Sequence, residues 1–175
     1  MSARPPIRCL REVGVWWWMV VAWAAEPTVQ FDDSGRLKAH VEIAAPADAV
    51  IAVLADAPRV AKWSDDVLSM EPVGAPSGDC QDYEVKTKGL WNPLTYVSRR
   101  CRTATGFRDQ LVRSESFSVL ESTWTVRPTE AGSEVHYEGA LELSFPVPKR
   151  LLRGARRSSI VETLARLGAA ATGVE

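Results

Sequence analysis

The two cysteines Cys80 and Cys101 are the residues whose spacing points most directly to a covalent bond. Between them, the stretch 89–92 (Gly-Leu-Trp-Asn) predicts the turn of a β-hairpin. A hairpin centred on residues 90–91 places Cys80 directly opposite Cys101, within disulfide range. The same register creates two further complementary cross-strand pairs: Asp82 with Arg99, and Val85 with Tyr96. A structural disulfide on the outer, polar face of the hairpin is therefore favoured over a redox-active pair or two free thiols.

A second chemical possibility is the charged pair Arg113 and Glu115. Both share the alternation of Leu111 and Phe117, so they lie on the same side of their predicted strand. If that side faces the interior, the two side chains line a cavity, where they could orient a polar headgroup or act as acid and base. The alternative is that the opposite side of the strand, residues 112, 114 and 116, faces inward.

Motifs for nucleophilic catalysis, nucleotide binding and metal binding are absent from the sequence. It contains no GxSxG, GxGxxG, Walker or CxxC pattern. The two histidines, His40 and His136, fall on the polar side of their strands, and two exposed histidines are too few ligands for zinc. The sequence therefore assigns no catalytic residue, no cofactor and no metal site.

Several aromatic side chains fall on or near the apolar side of the predicted elements. Rings that combine an apolar body with a polar atom suit the wall of a ligand cavity, although they are equally ordinary core residues. As candidate cavity residues, beside Arg113 and Glu115, they are Trp63, Tyr83, Tyr96, Trp124 and Tyr137.

Five cations cluster at the start of the last predicted helix, where the helix dipole favours anions instead. An anionic lipid surface, an anionic headgroup or an acidic partner would suit them, and the alternative is a solvated face. The five are Lys149, Arg150, Arg153, Arg156 and Arg157.

Composition limits the class of protein. The chain has 175 residues, of which 46% are hydrophobic and 25% charged, close to an average globular domain. A disordered chain, a collagen-like repeat and a polytopic membrane protein are therefore excluded. The formal net charge is -1, so no overall basic field favours nucleic acid. Nothing in the composition indicates an oligomeric state.

Residues 1–24 have the pattern of a signal peptide. Residues 1–12 carry three arginines and one glutamate, residues 13–25 carry no charge, and Ala22 and Ala24 form a small-x-small cleavage motif. Export to the periplasm or out of the cell follows, with an uncleaved membrane anchor or a misassigned start as alternatives. Cleavage leaves 18 basic and 21 acidic residues, a net charge of -3. An oxidising compartment also favours the Cys80–Cys101 bond.

The remaining sequence predicts an α+β domain. A polar lead-in, 25–35, precedes a strand at 36–44 and a helix pair at 47–56 and 58–63. A helix at 149–171 ends the chain, with an apolar stripe that includes Ile160, Leu164 and Leu167. Between the helices, strand-like alternation recurs at 67–73, 79–88, 93–103, 107–116, 118–128 and 133–145.

This order of elements resembles the START-like superfamily, also called the polyketide cyclase/dehydrase and lipid transport group (SRPBCC). The resemblance is carried by 41–63 (VEIAAPADAVIAVLADAPRVAKW), 117–128 (FSVLESTWTVRP) and 137–167, and extends over 36–171. Within the superfamily, the chain is most similar to the coenzyme-Q-binding and ribosome-association-toxin-like branch. The superfamily includes enzymes, carriers and sensors, so the resemblance specifies the fold better than the ligand.

The resemblance implies a helix-grip fold, in which a curved antiparallel sheet of about six to seven strands wraps around the long C-terminal helix. It also implies that a lipid or other hydrophobic small molecule binds between them. The leading hypothesis is therefore an exported, non-enzymatic binding protein. The alternatives are a small cyclase or dehydratase that uses Arg113 and Glu115, and an interaction module that docks through the basic helix start, for instance on an anionic membrane.

Overall fold

The computed structural model describes residues 25–89 and 91–173, so the proposed signal segment 1–24 lies outside the described residues. Eight strands form one antiparallel sheet: β1 (Thr28–Phe31), β2 (Leu37–Ile43), β3 (Val67–Ser77), β4 (Cys80–Thr87), β5 (Leu94–Thr103), β6 (Gly106–Ser114), β7 (Phe117–Thr129) and β8 (Gly132–Leu143). The helices are α1 (Ala47–Ala55), α2 (Val60–Trp63), which follows a 3₁₀ turn at Ala57–Arg59, and α3 (Lys149–Thr172).

The spatial order of the strands is β1-β2-β8-β7-β6-β5-β4-β3. Strands β3 to β8 form a continuous meander, because consecutive hairpins join strands that are neighbours in space. The link through α1 and α2 carries the chain from β2 to the opposite edge. The expected helix-grip architecture is thereby confirmed.

The strand count differs from the expected six to seven because β1 forms within the polar lead-in. Its residues alternate, with Val29 buried and Phe31 half-buried. Thr28 to Phe31 pair with residues 37–40 of β2, which would otherwise be the edge of the sheet. Four residues with two apolar side chains are too short a pattern to recognise as a strand without this partner.

Strand β3 is longer than the predicted 67–73 and reaches Ser77, so that the turn contains Gly78 and Asp79 alone. It carries Pro72 and Pro76, which have no N–H to donate. Prolines are tolerated here because β3 is an edge strand with a neighbour on one side only.

The register of the β4–β5 hairpin agrees with the prediction. Cys80 faces Cys101 and Asp82 faces Arg99, and Val85 faces Tyr96. The two cysteine sulfurs are bonded, with an S–S distance of 2.01 Å. Side chains alternate between the two faces along β4, and Val85 is buried on the inner face. Cys80 lies five residues before Val85, so the disulfide lies on the outer face.

Helix α3 lies on the apolar face of the sheet and completes the core. Its buried residues are Ile160, Thr163, Leu164, Leu167 and Gly168, and the apolar stripe predicted all of them except Gly168. Gly168 brings the helix close to β2, since a Cβ there would lie 3.8 Å from Ile43. The first two turns of α3 carry no buried residue, and Leu151 is 51% exposed. None of the helices formed by residues 25–89 and 91–173 is long and apolar enough to span a bilayer.

Candidate functional site

A cavity of about 210 Å³ lies between the inner face of the sheet and α3. The sheet contributes residues from β2 to β8, α2 contributes Trp63, and α3 contributes residues between Arg156 and Thr163. Sheet residues reach it because alternate side chains on a strand point to one face. This is the space in which the resemblance placed a ligand.

Aromatic rings form much of the cavity wall. The Trp124 ring packs edge-on against Trp63 at 6.3 Å between centroids and against Tyr137 at 4.7 Å. Tyr96 packs in the same manner against Phe117 at 5.2 Å. The cavity reaches Val85 on β4 but not Tyr83. Tyr83 lies two residues closer to the β3–β4 turn and packs against the core there. Four of the five aromatic candidates therefore line the cavity.

A buried ion pair forms part of the polar wall. Arg100 donates from Nε to Asp109 Oδ1 at 2.7 Å and from Nη2 to Oδ2 at 3.1 Å. Its Nη1 donates to the carbonyl of Leu54 at 3.0 Å, and the Ser122 hydroxyl donates to Asp109 Oδ2 at 3.0 Å. Burial alone would lower the pKa of Arg100, but the charge and hydrogen bonds of Asp109 outweigh it and raise that pKa. The pair brings no net charge to the cavity.

A carboxyl group, that of Asp66, lines the cavity on the α2 side. This carboxyl accepts a hydrogen bond from the Ser159 hydroxyl of α3. The backbone carbonyl of Asp66 accepts another from the Thr87 hydroxyl at 2.9 Å. Burial raises the pKa of Asp66, and the Ser159 hydrogen bond opposes part of that rise. A carboxyl that holds its proton more tightly than usual can donate a hydrogen bond or take part in proton transfer.

The phenols of Tyr96 and Tyr137 are held in their neutral form. Burial raises the pKa of both, that of Tyr137 to about 12. At neutral pH each hydroxyl therefore keeps its proton and can donate a hydrogen bond to a ligand oxygen.

Comparison with known sequences identifies the family. The profile described as polyketide cyclase / dehydrase and lipid transport matches residues 34–172. The chain belongs to this family. No curated protein sequence is a significant match to this START-like chain.

Solved structures agree in fold. A START superfamily protein from Mycobacterium smegmatis has a TM-score of 0.71 at 13% identity, over 80% of this chain and 99% of that one. A STAR-related lipid transfer protein from Xanthomonas axonopodis has 0.65 at 19% identity, over 84% and 99%. The Zhui aromatase/cyclase from Streptomyces sp. R1128 has 0.63 at 18% identity, over 80% and 95%. At these identities the likeness shows the fold alone, and the narrower branch stays a prediction.

Arg113 and Glu115 do not line the cavity of this START-like chain, and both are exposed. The register between β5 and β6 shifts here, because Val97 faces Arg113 whereas Ser98 faces Leu111. The extra residue is a β-bulge, and it breaks the alternation that had grouped the pair with Leu111. The expectation that this ion couple lies in the cavity does not fit this geometry.

The five basic residues at the start of α3 separate into two groups. Lys149, Arg150, Arg153 and Arg157 are exposed. Arg156 instead turns towards the sheet and lines the cavity, with its Nη2 donating to the carbonyl of Gly139 at 2.8 Å.

The two histidines form a cluster that the sequence did not predict. His40 and His136 face each other across β2 and β8, with ring centroids 5.1 Å apart. Each Nε2 lies 3.0 Å from one oxygen of Glu134. The hydrogen bond from His136 lowers the pKa of Glu134. Within residues 25–89 and 91–173, no three or more His, Cys, Asp or Glu side chains are arranged so that they could hold a metal ion.

The polar cavity residues Asp66, Arg100, Asp109 and Ser159 were missed from the sequence. Alternation carried a signal for two of them. Arg100 lies on the same side of β5 as Tyr96, and Asp109 lies on the same side of β6 as Phe107. Each is therefore a charged residue on the inward-facing, mostly apolar side of its strand.

Proposed function

We propose that this protein is exported and binds a compact hydrophobic or lipid-like molecule in the cavity between the sheet and α3. The observation that carries the proposal is a cavity in which aromatic rings and polar side chains converge, as they do in small-molecule sites. Membership of a family described by polyketide cyclisation and lipid transport supports hydrophobic ligand binding in general.

The size of the cavity narrows the ligand class. At about 210 Å³ it is smaller than the roughly 300–1,000 Å³ of sites for drug-sized ligands. A single short chain or a small ring system matches this volume, whereas a two-chain phospholipid does not. Among the residues described, the buried indole nitrogen of Trp63 lacks a hydrogen-bond partner, and a ligand oxygen would supply one.

Export is supported by two independent features. Residues 1–24 have the charge and hydropathy pattern of a signal peptide. The bond between Cys80 and Cys101 suits an oxidising compartment.

A peripheral membrane contact is a further part of the proposal. Lys149, Arg150, Arg153 and Arg157 are exposed beside Leu151 and Phe145, which are 51% and 36% exposed. Cations next to apolar side chains favour an anionic bilayer surface. Binding to vesicles that contain an anionic lipid should fall when Arg150 and Arg157 are both changed to Gln. Equal binding by the wild type and this variant would refute the contact.

One observation favours a second candidate function, an acid–base enzyme. Asp66 is a cavity carboxyl with a raised pKa, and such groups are common among catalytic acids. An enzyme with Asp66→Asn should retain a bound molecule of different mass from the wild type, because substrate would no longer be converted. A carrier should retain the same molecule in both proteins.

Native mass spectrometry tests binding and export together. The full chain is expressed with its own N-terminus, and the exported fraction is purified without a lipid wash. We expect a mature mass that corresponds to cleavage near Ala24, loss of two hydrogens at the disulfide, and an added mass that extracts into organic solvent.

A matched pair of variants ties the added mass to the cavity. Val85 is buried and lines the cavity, whereas Val112 on β6 is 46% exposed. Val85→Phe should fill part of the cavity and abolish the added mass, and Val112→Phe should leave it unchanged. Retention of the ligand by folded Val85→Phe would refute binding at this site.

A further inference from the structure

Arg156 differs from the other basic residues of α3 in that it lies inside the fold. Its Nη1 donates to the carbonyl of Gly35 at 3.3 Å, and its Nη2 donates to that of Gly139 at 2.8 Å. A guanidinium has five N–H groups, so these two contacts leave three of them for another acceptor. The residue lines both the cavity and an adjoining groove of about 360 Å³.

The charge of Arg156 is not compensated within residues 25–89 and 91–173. No carboxylate oxygen lies within 4.0 Å of its guanidinium, and the same holds for the neighbouring Arg153. The two guanidiniums lie 5.5 and 5.6 Å from the centroid of the same Phe31 ring. A half-buried cation such as Arg156 is costly without a counter-ion, because burial and the like charge of Arg153 both disfavour its charged form. An anion bound here would offset that cost.

A second polar group reaches the same place. A Cβ at Gly139 would lie 2.5 Å from the Tyr137 hydroxyl, so that hydroxyl rests against the backbone whose carbonyl Arg156 binds. Tyr137 also lines the cavity. Its protonated hydroxyl and the Arg156 guanidinium together provide donors on one side of the cavity.

We infer that the molecule bound in the cavity carries an anionic headgroup, a carboxylate or a phosphate, which pairs with Arg156 and accepts a hydrogen bond from Tyr137. The inference rests on the proposed binding function and adds the chemical class of the ligand: an apolar body with one acidic end. The apolar body would lie along the Trp63 and Trp124 rings, and the neutral Arg100–Asp109 pair would not compete for the acid.

Three probes with the same ten-carbon chain test the headgroup: decanoate, decyl phosphate and decanol. Each is titrated at neutral pH into protein purified from cells that express the full chain. Tryptophan fluorescence reports the binding, since Trp63 and Trp124 line the cavity. We expect the wild type to bind at least one of the acids about tenfold more tightly than decanol, the gain of a charged hydrogen bond. The stronger of the two acids identifies the headgroup.

Variants assign that preference to one residue. Arg156→Gln should lower affinity for the acid about tenfold and leave decanol affinity unchanged, and Arg156→Lys should restore part of the preference. Arg108→Gln removes an equal charge at an exposed position on β6, outside both the cavity and the basic cluster, and should change neither affinity.

The outcomes separate this inference from the proposed function. If the wild type binds decanol as tightly as both acids, the inference is wrong while cavity binding stands. The same conclusion follows if Arg108→Gln weakens acid binding as much as Arg156→Gln. If the wild type binds none of the three probes, the proposed binding function fails, and the inference fails with it. The acid–alcohol comparison in the wild type decides the matter even if Arg156→Gln does not fold.

Discussion

The side chains of Arg100 and Asp109 form a two-point ion pair across β5 and β6, with both side chains 10% exposed. The preceding residue, Arg99, forms a pair of the same geometry with Asp82 on the opposite face, where the side chains are 50% and 25% exposed. The Nε–Oδ1 distance is 2.7 Å in each pair. Alternation along β5 thus places one pair in the interior and the other in solvent.

The two pairs should differ widely in their effect on stability. Asp109→Asn leaves a buried guanidinium without its counter-ion and should lower the free energy of unfolding by about 3–5 kcal/mol. Asp82→Asn removes an exposed partner, whose attraction water and salt screen, and should change the free energy of unfolding far less. Urea unfolding of both variants measures the difference. Similar losses would mean that burial does not distinguish the pairs.

Removal of the Cys80–Cys101 bond should destabilise the protein substantially. The bond closes a loop with a sequence separation of 21 residues, and a loop of that size corresponds to about 3 kcal/mol of chain entropy in the unfolded state. Unfolding of the double variant Cys80→Ser with Cys101→Ser gives the value. The wild type under reducing conditions serves as the comparison and should lose a similar amount. No change in either case would contradict a stabilising role.

Gly139→Ala should move the Tyr137 ring, because the new Cβ would lie 2.5 Å from its hydroxyl. We expect a loss of about 1–3 kcal/mol in the free energy of unfolding, as for other overpacked sites. Gly154→Ala is the control: it lies on α3 with no neighbouring atom within 4 Å of the added Cβ. That change should stabilise the helix by about 0.5–1 kcal/mol. Unchanged stability in Gly139→Ala would show that Tyr137 adjusts freely.

The stability of the protein should depend on pH through Asp66. Burial raises its pKa above the ordinary value of 3.8, so the folded protein holds this proton more tightly than the unfolded chain. The stability that the protonated Asp66 carboxyl contributes is therefore fully present below pH 3.8. It is lost as the pH rises through the pKa that Asp66 has in the folded protein.

Thermal melts across this range test that dependence. Asp66→Asn should gain stability relative to the wild type as the pH increases. Ser159→Ala keeps the carboxyl but removes the hydrogen bond that lowers its pKa, so its stability should fall more steeply than that of the wild type. A constant difference between Asp66→Asn and the wild type at every pH would contradict the raised pKa.

Much of the fold could be predicted from local patterns. Strict alternation identified β2 and β8, and the 3.6-residue stripe identified the buried face of α3. One turn fixed the register of β4 against β5, because every pair in a hairpin follows from its centre. Strand β1 was not predicted, because its four residues form a strand only by pairing with the edge of β2, a contact that the local sequence does not show.

The cavity was less predictable, because it depends on relations between distant residues. Asp66 and Ser159 are 93 positions apart and meet only when α3 is packed. The bulge opposite Val97 orients Arg113 away from the cavity, and nothing in the sequence of the strand predicts that bulge. Arg156 lies four residues before Ile160 and therefore on the same face of α3. The helical stripe thus carried a signal for its inward position, which its grouping with four exposed cations obscured.

The proline-bearing edge strand β3 also affects how this sheet meets other chains. An exposed edge offers unpaired N–H and C=O groups to which a second molecule can add a strand, the first step towards aggregation. Pro72 and Pro76 remove two donors from β3, and Glu71 adds a charge. The opposite edge, β1, has four residues only. Strand-to-strand association between molecules is thereby discouraged at both edges of the sheet.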